Sequence, residues 1–305
     1  MSERLDVSKT YKLFINGGFP RSESGRTLAI VVGDTTVHVA RASRKDLRDA
    51  VEAARAALPK WSGATAYNRG QVLYRMAEMM EGKKRELAQA IGDVKKQRSG
   101  AATKGSKKGT KAQGQTAKST GIAEVEAAID RLVCFAGWAD KYAQVLGCNN
   151  PVAGPYYNFT VPEPTGVVGV LAPNESPLLG LISLAAPALC AGNCVVALAS
   201  EANPIPGAIL GEVAATSDVP AGVLNLLTGV HEELVPQFAS HREIGAIHAA
   251  GLTAEGERQV REGVADNLKR VALHPSADFA HERWRGPWVI EPLVEMKTIW
   301  HPSGV

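Results

Sequence analysis

The 305-residue chain has no apolar run approaching the ~18 residues that would span a bilayer. Its longest candidate, residues 178–192, contains Ser183 and Pro187 and reads as a buried helix. The opening residues, Met1-Ser2-Glu3-Arg4-Leu5-Asp6, are charged and lack the apolar stretch of a secretory leader. A cytoplasmic protein without a membrane partner is the expectation. Cysteine is scarce: Cys134, Cys148, Cys190 and Cys194 form no C-x-x-C pair and have no histidine cluster beside them. That excludes the usual zinc frameworks and predicts reduced, packed thiols, with no metal site. The dinucleotide fingerprint G-x-G-x-x-G is missing as well.

Acids are missing from one long stretch. Residues 94–123 hold no Asp or Glu, but Lys95, Lys96, Arg98, Lys104, Lys107, Lys108, Lys111 and Lys118 all fall there. The whole chain has 34 bases and 31 acids for a net charge of +3, so its positive sign belongs to this segment alone. The segment is Gly-rich and has no aromatic residue, and such a composition buries too little surface to offset the entropy of ordering. Residues 95–121 are therefore expected to be a disordered insert. Its lysines could hold a polyanion by releasing counterions, or simply solvate a link between two helices. With no stacking aromatics for a single strand, the link is preferred and nucleic acid is not expected as a partner.

What is present is a 45% apolar composition, enough for a real core. Residues 11–25 predict a β-hairpin around Asn16-Gly17, and residues 31–39 a further strand. Ser43 is placed as a helix N-cap, with Asp46 at the third helical position. Leu47, Val51, Ala54 and Leu58 follow at helical spacing, and Pro59 should close the element. Single helices are predicted over 68–90 and 122–146, then a strand over 156–161. From Gly166 the period changes. Apolar strands beginning at Val167, Cys194, Val223, Ile244 and Arg270 alternate with helices over 178–191, 204–216, 231–239 and 253–264. Alternating helices and strands buried on both faces predict an α/β fold with a doubly wound, mostly parallel sheet. Ligands in such folds sit beyond the C-terminal ends of the strands.

Several segments carry a resemblance. Phe14-Ile15-Asn16-Gly17, Phe135-Ala136-Gly137-Trp138-Ala139-Asp140-Lys141 and Gly154-Pro155-Tyr156-Tyr157-Asn158-Phe159-Thr160 come first. Glu163-Pro164-Thr165-Gly166, Ala186-Pro187-Ala188-Leu189-Cys190-Ala191-Gly192-Asn193 and Pro220-Ala221-Gly222-Val223-Leu224-Asn225 follow. In this order they resemble the aldehyde dehydrogenase superfamily over residues 11–275, the basic insert apart. The resemblance implies a nucleotide-binding domain of that type over 1–275. It also implies NAD(P)-dependent aldehyde oxidation through a cysteine thiohemiacetal.

The chemical positions depart from the family. Its Pro-Trp-Asn-Phe-Pro run reads Pro173-Asn174-Glu175-Ser176-Pro177, so Glu175 replaces the asparagine that donates to the oxyanion. Losing one such donor costs about 10² to 10³ in rate. Lys-Pro-Ser-Glu reads Leu198-Ala199-Ser200-Glu201, which loses the ribose-steadying lysine and keeps Glu201 as a ribose acceptor. Phe-Thr-Gly-Ser reads Ala249-Ala250-Gly251-Leu252, where Gly251 still lets a pyrophosphate approach a helix N-terminus. Leu-Glu-Leu-Gly-Gly reads Leu273-His274-Pro275-Ser276-Ala277, with His274 in the place of the general base. Pro173, Glu201 and Gly251 are thus the candidate cofactor residues, with residual NAD(P) binding the most that they imply. The family's nucleophilic cysteine lies further downstream, whereas the last cysteine here is Cys194.

Residues 276–305 read as a remnant linker and an oligomerisation strand. Glu295 to Trp300 resembles the C-terminal strand with which these enzymes complete a neighbour's sheet, and an oligomerisation hairpin is placed near 147–163. The resemblance then implies a fold without its catalytic domain: an inactive pseudoenzyme subunit. Such a subunit would assemble with itself or with an active aldehyde dehydrogenase. Two alternatives remain. One is an oxidoreductase with a partner-supplied thiol or a recruited Cys190 or Cys194; the other is a nucleotide-sensing module.

Overall fold

A computed structural model of the chain describes residues 9–33, 35–101 and 110–303, with only the backbone for 93–101, 110–120 and Asp266. Strands β1 (Thr10–Tyr11), β2 (Thr27–Val32) and β3 (Thr35–Ala40) form a small sheet in the order β1-β3-β2. Ser43 then caps α1 (Arg44–Ser62) as its sequence predicts. Its hydroxyl accepts from the Asp46 N–H, and Asp46 accepts from the Ser43 N–H at 2.7 Å. The helix runs through Pro59 instead of stopping there. Pro59 is exposed, so water can serve the carbonyl that loses its donor, while buried Trp61 holds the last turn.

The helix predicted over 68–90 is two helices, α2 (Ala66–Gly82) and α3 (Lys84–Ala101), broken at Lys83. The helix predicted over 122–146 likewise divides into α4 (Thr110–Trp138) and α5 (Tyr142–Leu146). The disordered insert expected over 95–121 falls partly on these helices, whose backbone includes 95–101 and 110–121. Residues 102–109 lie outside the described residues.

The hairpin expected over 11–25 forms only close to its turn. Its turn forms, with Asn16 and Gly17 at φ 52° and 74° and Ile15 and Gly18 exchanging bonds at 3.0 Å. Across it the Leu13 N–H donates to the Pro20 carbonyl at 3.2 Å, while Phe14 exchanges hydrogen bonds of 2.9 and 2.7 Å with Leu226 of the central sheet. Phe14 is buried there, so hydrophobic contact favours the long-range partner over the local one.

After β4 (Cys148–Asn150) and β5 (Tyr156–Pro164), the alternation read from Gly166 appears element by element. It runs β6 (Val167–Leu171), α6 (Leu179–Cys190), β7 (Cys194–Leu198), α7 (Ile205–Ala215), β8 (Leu224–Leu227), α8 (His231–Ser240), β9 (Ile244–Ala250), α9 (Ala254–Gly263) and β10 (Arg270–His274). These five strands make one parallel sheet, ordered β10-β9-β6-β7-β8. Helix α6 packs with α2 and α4, and α1 with α8, so the sheet lies between two helical layers. Every residue of α6, β6 and β7 is buried. Among the described residues no helix is long and apolar enough to cross a membrane.

The chain then returns over α4 and α6, burying Phe279, Trp284, Ile290 and Leu293. Arg131 of α4 ties this return down, donating to the carbonyls of Phe279 (2.7 Å) and Trp284 (2.9 Å) and to the Ser183 hydroxyl (3.1 Å). Finally β11 (Val294–Pro302) pairs antiparallel with β5, giving a second small sheet in the order β11-β5-β4. In this single chain the strand pairs with its own β5. Strand β5 offers it nine residues in register, reinforced by Thr160–Thr298 at 2.9 Å and Lys297–Glu163 at 2.5 Å.

Candidate functional site

The loops leaving β6, β7, β8 and β9 meet beyond the C-terminal ends of the central strands, around a cavity of about 510 Å³. Asn174 and Glu201 come from the first two loops, His231 and Glu232 open α8, and Gly251 to Gly256 lead into α9. Asn174 braces the site: its side-chain oxygen accepts from the Ser200 hydroxyl at 3.1 Å and the Ala202 N–H at 3.0 Å. Gly251 sits at φ 62°, and a side chain there would begin 3.3 Å from Pro173 Cβ. Only glycine adopts that backbone without strain. Its N–H donates to the His274 carbonyl at 3.0 Å, tying the loop to β10.

Glu201 accepts from the His231 N–H at 2.7 Å and so caps α8. A carboxylate at that helix end takes the position an anionic ligand would otherwise use. The His231 ring is fixed as well, its Nε2–H donating to the Ala199 carbonyl at 3.0 Å. Glu201, Glu232 and Glu255 line the cavity, Glu255 already paired with Arg258, and among the described residues no Lys or Arg lines it. A pyrophosphate entering here would meet like charge, at a cost of about 2 kcal/mol for each pair ~7 Å apart in a medium of effective permittivity near 20.

Of the residues singled out from sequence, Glu201 and Gly251 line the cavity, and Pro173 is buried beneath Gly251. Glu175 is exposed and lies beside Gly251, off the cavity wall. Leu198 is fully buried in the sheet, so the lysine position of the family is turned into core. Leu252 lines the cavity.

His274 is elsewhere. Its Nε2 lies 3.2 Å from Nε2 of His248, and its ring packs edge-on against Trp284 at 4.8 Å. The tautomers follow from the partners: His248 Nδ1–H donates to the Leu184 carbonyl at 3.0 Å, so its Nε2 is bare and accepts from His274 Nε2–H. Burial pushes the His248 imidazole down to about 3, helped by neighbouring His274. Burial and Arg283 lower His274 too. Neither His248 nor Arg131 stands out as a site residue in the sequence. A histidine inside an apolar strand gives no sign of its partner, since that partner is set by long-range packing.

None of the four cysteines lines the cavity. Cys194 begins β7, so it lies at the N-terminal end of the parallel strands, away from the loops. Desolvation pushes Cys190 and Cys194 up to about 12, which keeps both as thiols.

A model of the aldehyde dehydrogenase family matches residues 21–278. The chain belongs to the aldehyde dehydrogenase family. It is 30% identical to the putative aldehyde dehydrogenase DhaS of Bacillus subtilis, over 90% of this chain and 52% of that protein. It is 33% identical to retinal dehydrogenase 2 of Mus musculus, over 88% of this chain and 49% of the relative. Among solved structures, the NAD+ complex of aldehyde dehydrogenase from Bacillus cereus superposes with a TM-score of 0.74 at 26% identity. The match covers 87% of this chain and 50% of that one. The chain spans about half the length of the curated relatives it matches.

Proposed function

We propose that this aldehyde dehydrogenase family chain is a non-catalytic subunit that assembles with copies of itself or with an active family member. The state of His274 carries the reading. At the family's general-base position stands an imidazole bonded to His248 and packed against Trp284, off the wall of the central cavity. Glu175 supports it, since a carboxylate at the oxyanion-donor position accepts hydrogen bonds and repels developing negative charge. Recruitment of Cys190 or Cys194 is disfavoured by their burial and raised pKa.

The small sheet β11-β5-β4 supports assembly. Tyr156, Tyr157, Ile299 and Trp300 are all exposed on it, and β11 has a neighbour on one side only. The test is twofold. The purified chain, given an aldehyde with NAD or NADP, should form no reduced cofactor. Native mass spectrometry, alone and with a full-length aldehyde dehydrogenase, should find it in a complex. Aldehyde-dependent cofactor reduction by the chain alone would overturn the non-catalytic reading; a monomer under every condition would overturn assembly.

The cavity itself favours a second reading, a nucleotide-responsive unit, because Glu201 and Gly251 remain on its wall. Titration calorimetry with NAD and NADP separates the two: absence of heat at millimolar ligand removes this second reading.

A further inference from the structure

A different cavity, of about 350 Å³, lies against the N-terminal sheet. Its wall carries Lys12, Arg21, Arg26 and His38, with the hydroxyls of Thr10 and Thr27, and no carboxylate. Many surface cations on this chain touch acids: Arg41 meets Glu233, Arg55 meets Glu243, Lys83 meets Glu212 and Arg258 meets Glu255, although single cations such as Lys60 and Arg242 do not. Nor do the cavity's cations. Lys12 and Arg21 have no such partner among the described residues, and the Arg26 side chain bonds only the Ser24 hydroxyl, through Nε at 3.3 Å.

The nearby carboxylates among the described residues are already engaged: Glu86 and Glu212, whose charge Tyr11 feels, are bound by Lys83, and Glu23, next to Ser22, lies 3.7 Å from Lys45. Glu233, which feels the charge of Arg26, is bound by Arg41. Asp46 lies buried behind Ser22, accepting from the Ser22 hydroxyl at 2.8 Å and from the N–H groups of Glu23 and Ser43 at 3.0 and 2.7 Å. Three cations around one concavity, with no carboxylate on its wall among the described residues, create a positive potential that concentrates anions. Two guanidiniums and an ammonium also match phosphate chemistry, since Arg forks grip phosphate oxygens in pairs and Lys adds a point charge. Tyr11 supplies one aromatic wall, with the Lys9 ammonium 4.6 Å from its ring centre. The volume of about 350 Å³ lies within the range of small-molecule pockets and suits a sugar phosphate or a mononucleotide.

We propose that this cavity binds a small phosphorylated molecule, with Lys12, Arg21 and Arg26 holding its phosphate and Thr27 and His38 flanking it. The contrast with the acid-lined central cavity assigns the two sites opposite preferences. The inference does not depend on whether the chain is catalytic.

Calorimetry on the full chain at fixed ionic strength, using sodium phosphate, AMP and adenosine, tests it. Phosphate and AMP should bind and adenosine should not. In the double variant Arg21→Gln/Arg26→Gln, phosphate affinity should fall at least about tenfold while the melting temperature without phosphate stays close to that of the parent. AMP binding tighter than phosphate supports a phosphate carried on an organic body; equal affinities support recognition of free phosphate. No heat from either anion, an unchanged affinity in the double variant, or adenosine binding as well as AMP would each overturn the proposal.

Discussion

Arg131 is a cation surrounded by carbonyls. It is almost fully buried, bonds two carbonyls and one hydroxyl, and pairs with no carboxylate among the described residues. Burial and the charge of Arg285 lower its pKa to about 10, which still leaves it protonated near neutrality. Its work is mechanical: it binds the returning segment at Phe279 and Trp284 to α4 and α6. The variant Arg131→Leu strands those two carbonyls without donors, each at about 1–3 kcal/mol. We expect a net loss of about 2–4 kcal/mol, read as a lower urea midpoint at unchanged slope. An unchanged midpoint would mean the segment is held by Trp284 and Phe279 packing alone. None of this is visible in the sequence, where Arg131 is one basic residue on a helix and its three partners lie at least 52 positions away.

At the scale of the element, α8 shows how a binding position can be taken over. Its first turn carries Glu232 and Glu233, and Glu201 from the β7 loop caps the His231 N–H. The macrodipole favours all three acids. Replacing Glu201 with Ala should therefore cost about 0.5–2 kcal/mol of stability, comparable to removal of an N-cap. The same change removes a negative charge from the central cavity, so any binding of AMP there should strengthen while stability falls. Opposite signs in melting temperature and affinity are the expected signature; a loss of both would make Glu201 a ligand-binding group. The central sheet was legible because each strand is a short apolar run between turn residues, such as β7 between Asn193 and Ser200. The break at Lys83 was not, because the apolar stripe continues across it. The pairing of Phe14 with Leu226 was hidden too, since an Asn-Gly turn reads as a local hairpin whichever strand its arms finally join. Of the site, Glu201 and Gly251 were legible from motif position, while the destination of His274 depended on a contact with β9.

Across the molecule, buried histidine couples stability to pH. His248 is fully buried and its pKa is pushed down to about 3, so the unfolded chain takes up a proton there that the folded chain refuses. The stability this gives is complete above the ordinary histidine value near 6.5 and is lost as pH falls toward about 3. Over that window the loss should reach several kcal/mol, on the order of 1.4 per pH unit. Urea midpoints measured from pH 7 to pH 4 should decline in the parent and flatten in His248→Gln. A slope that survives the substitution would assign the effect to other groups. The carboxylates lowered by their cation partners, such as Glu212, add to the decline only below their ordinary value of 4.5.

The proposed assembly also belongs to the scale of the whole molecule. Strand alternation sets Tyr157 and Phe159 of β5 with Ile299 of β11 on one face of the small sheet, and Tyr156 with Trp300 on the other. Tyr156 and Trp300 meet edge-on at 5.8 Å and Tyr157 and Phe159 at 5.1 Å, so each face carries a preformed aromatic patch. Apolar surface of that kind is stabilised when a second sheet covers it. The double variant Tyr157→Lys/Ile299→Lys puts two charges on one face at exposed positions, where folding stability should move by no more than about 0.5 kcal/mol per site. If copies associate through this sheet, native mass spectrometry should show the parent as an oligomer and the variant shifted to monomer, with melting temperatures close together. An oligomer that survives both charges would move the interface to another surface, because lysines buried against a neighbouring copy without partners could not leave it intact.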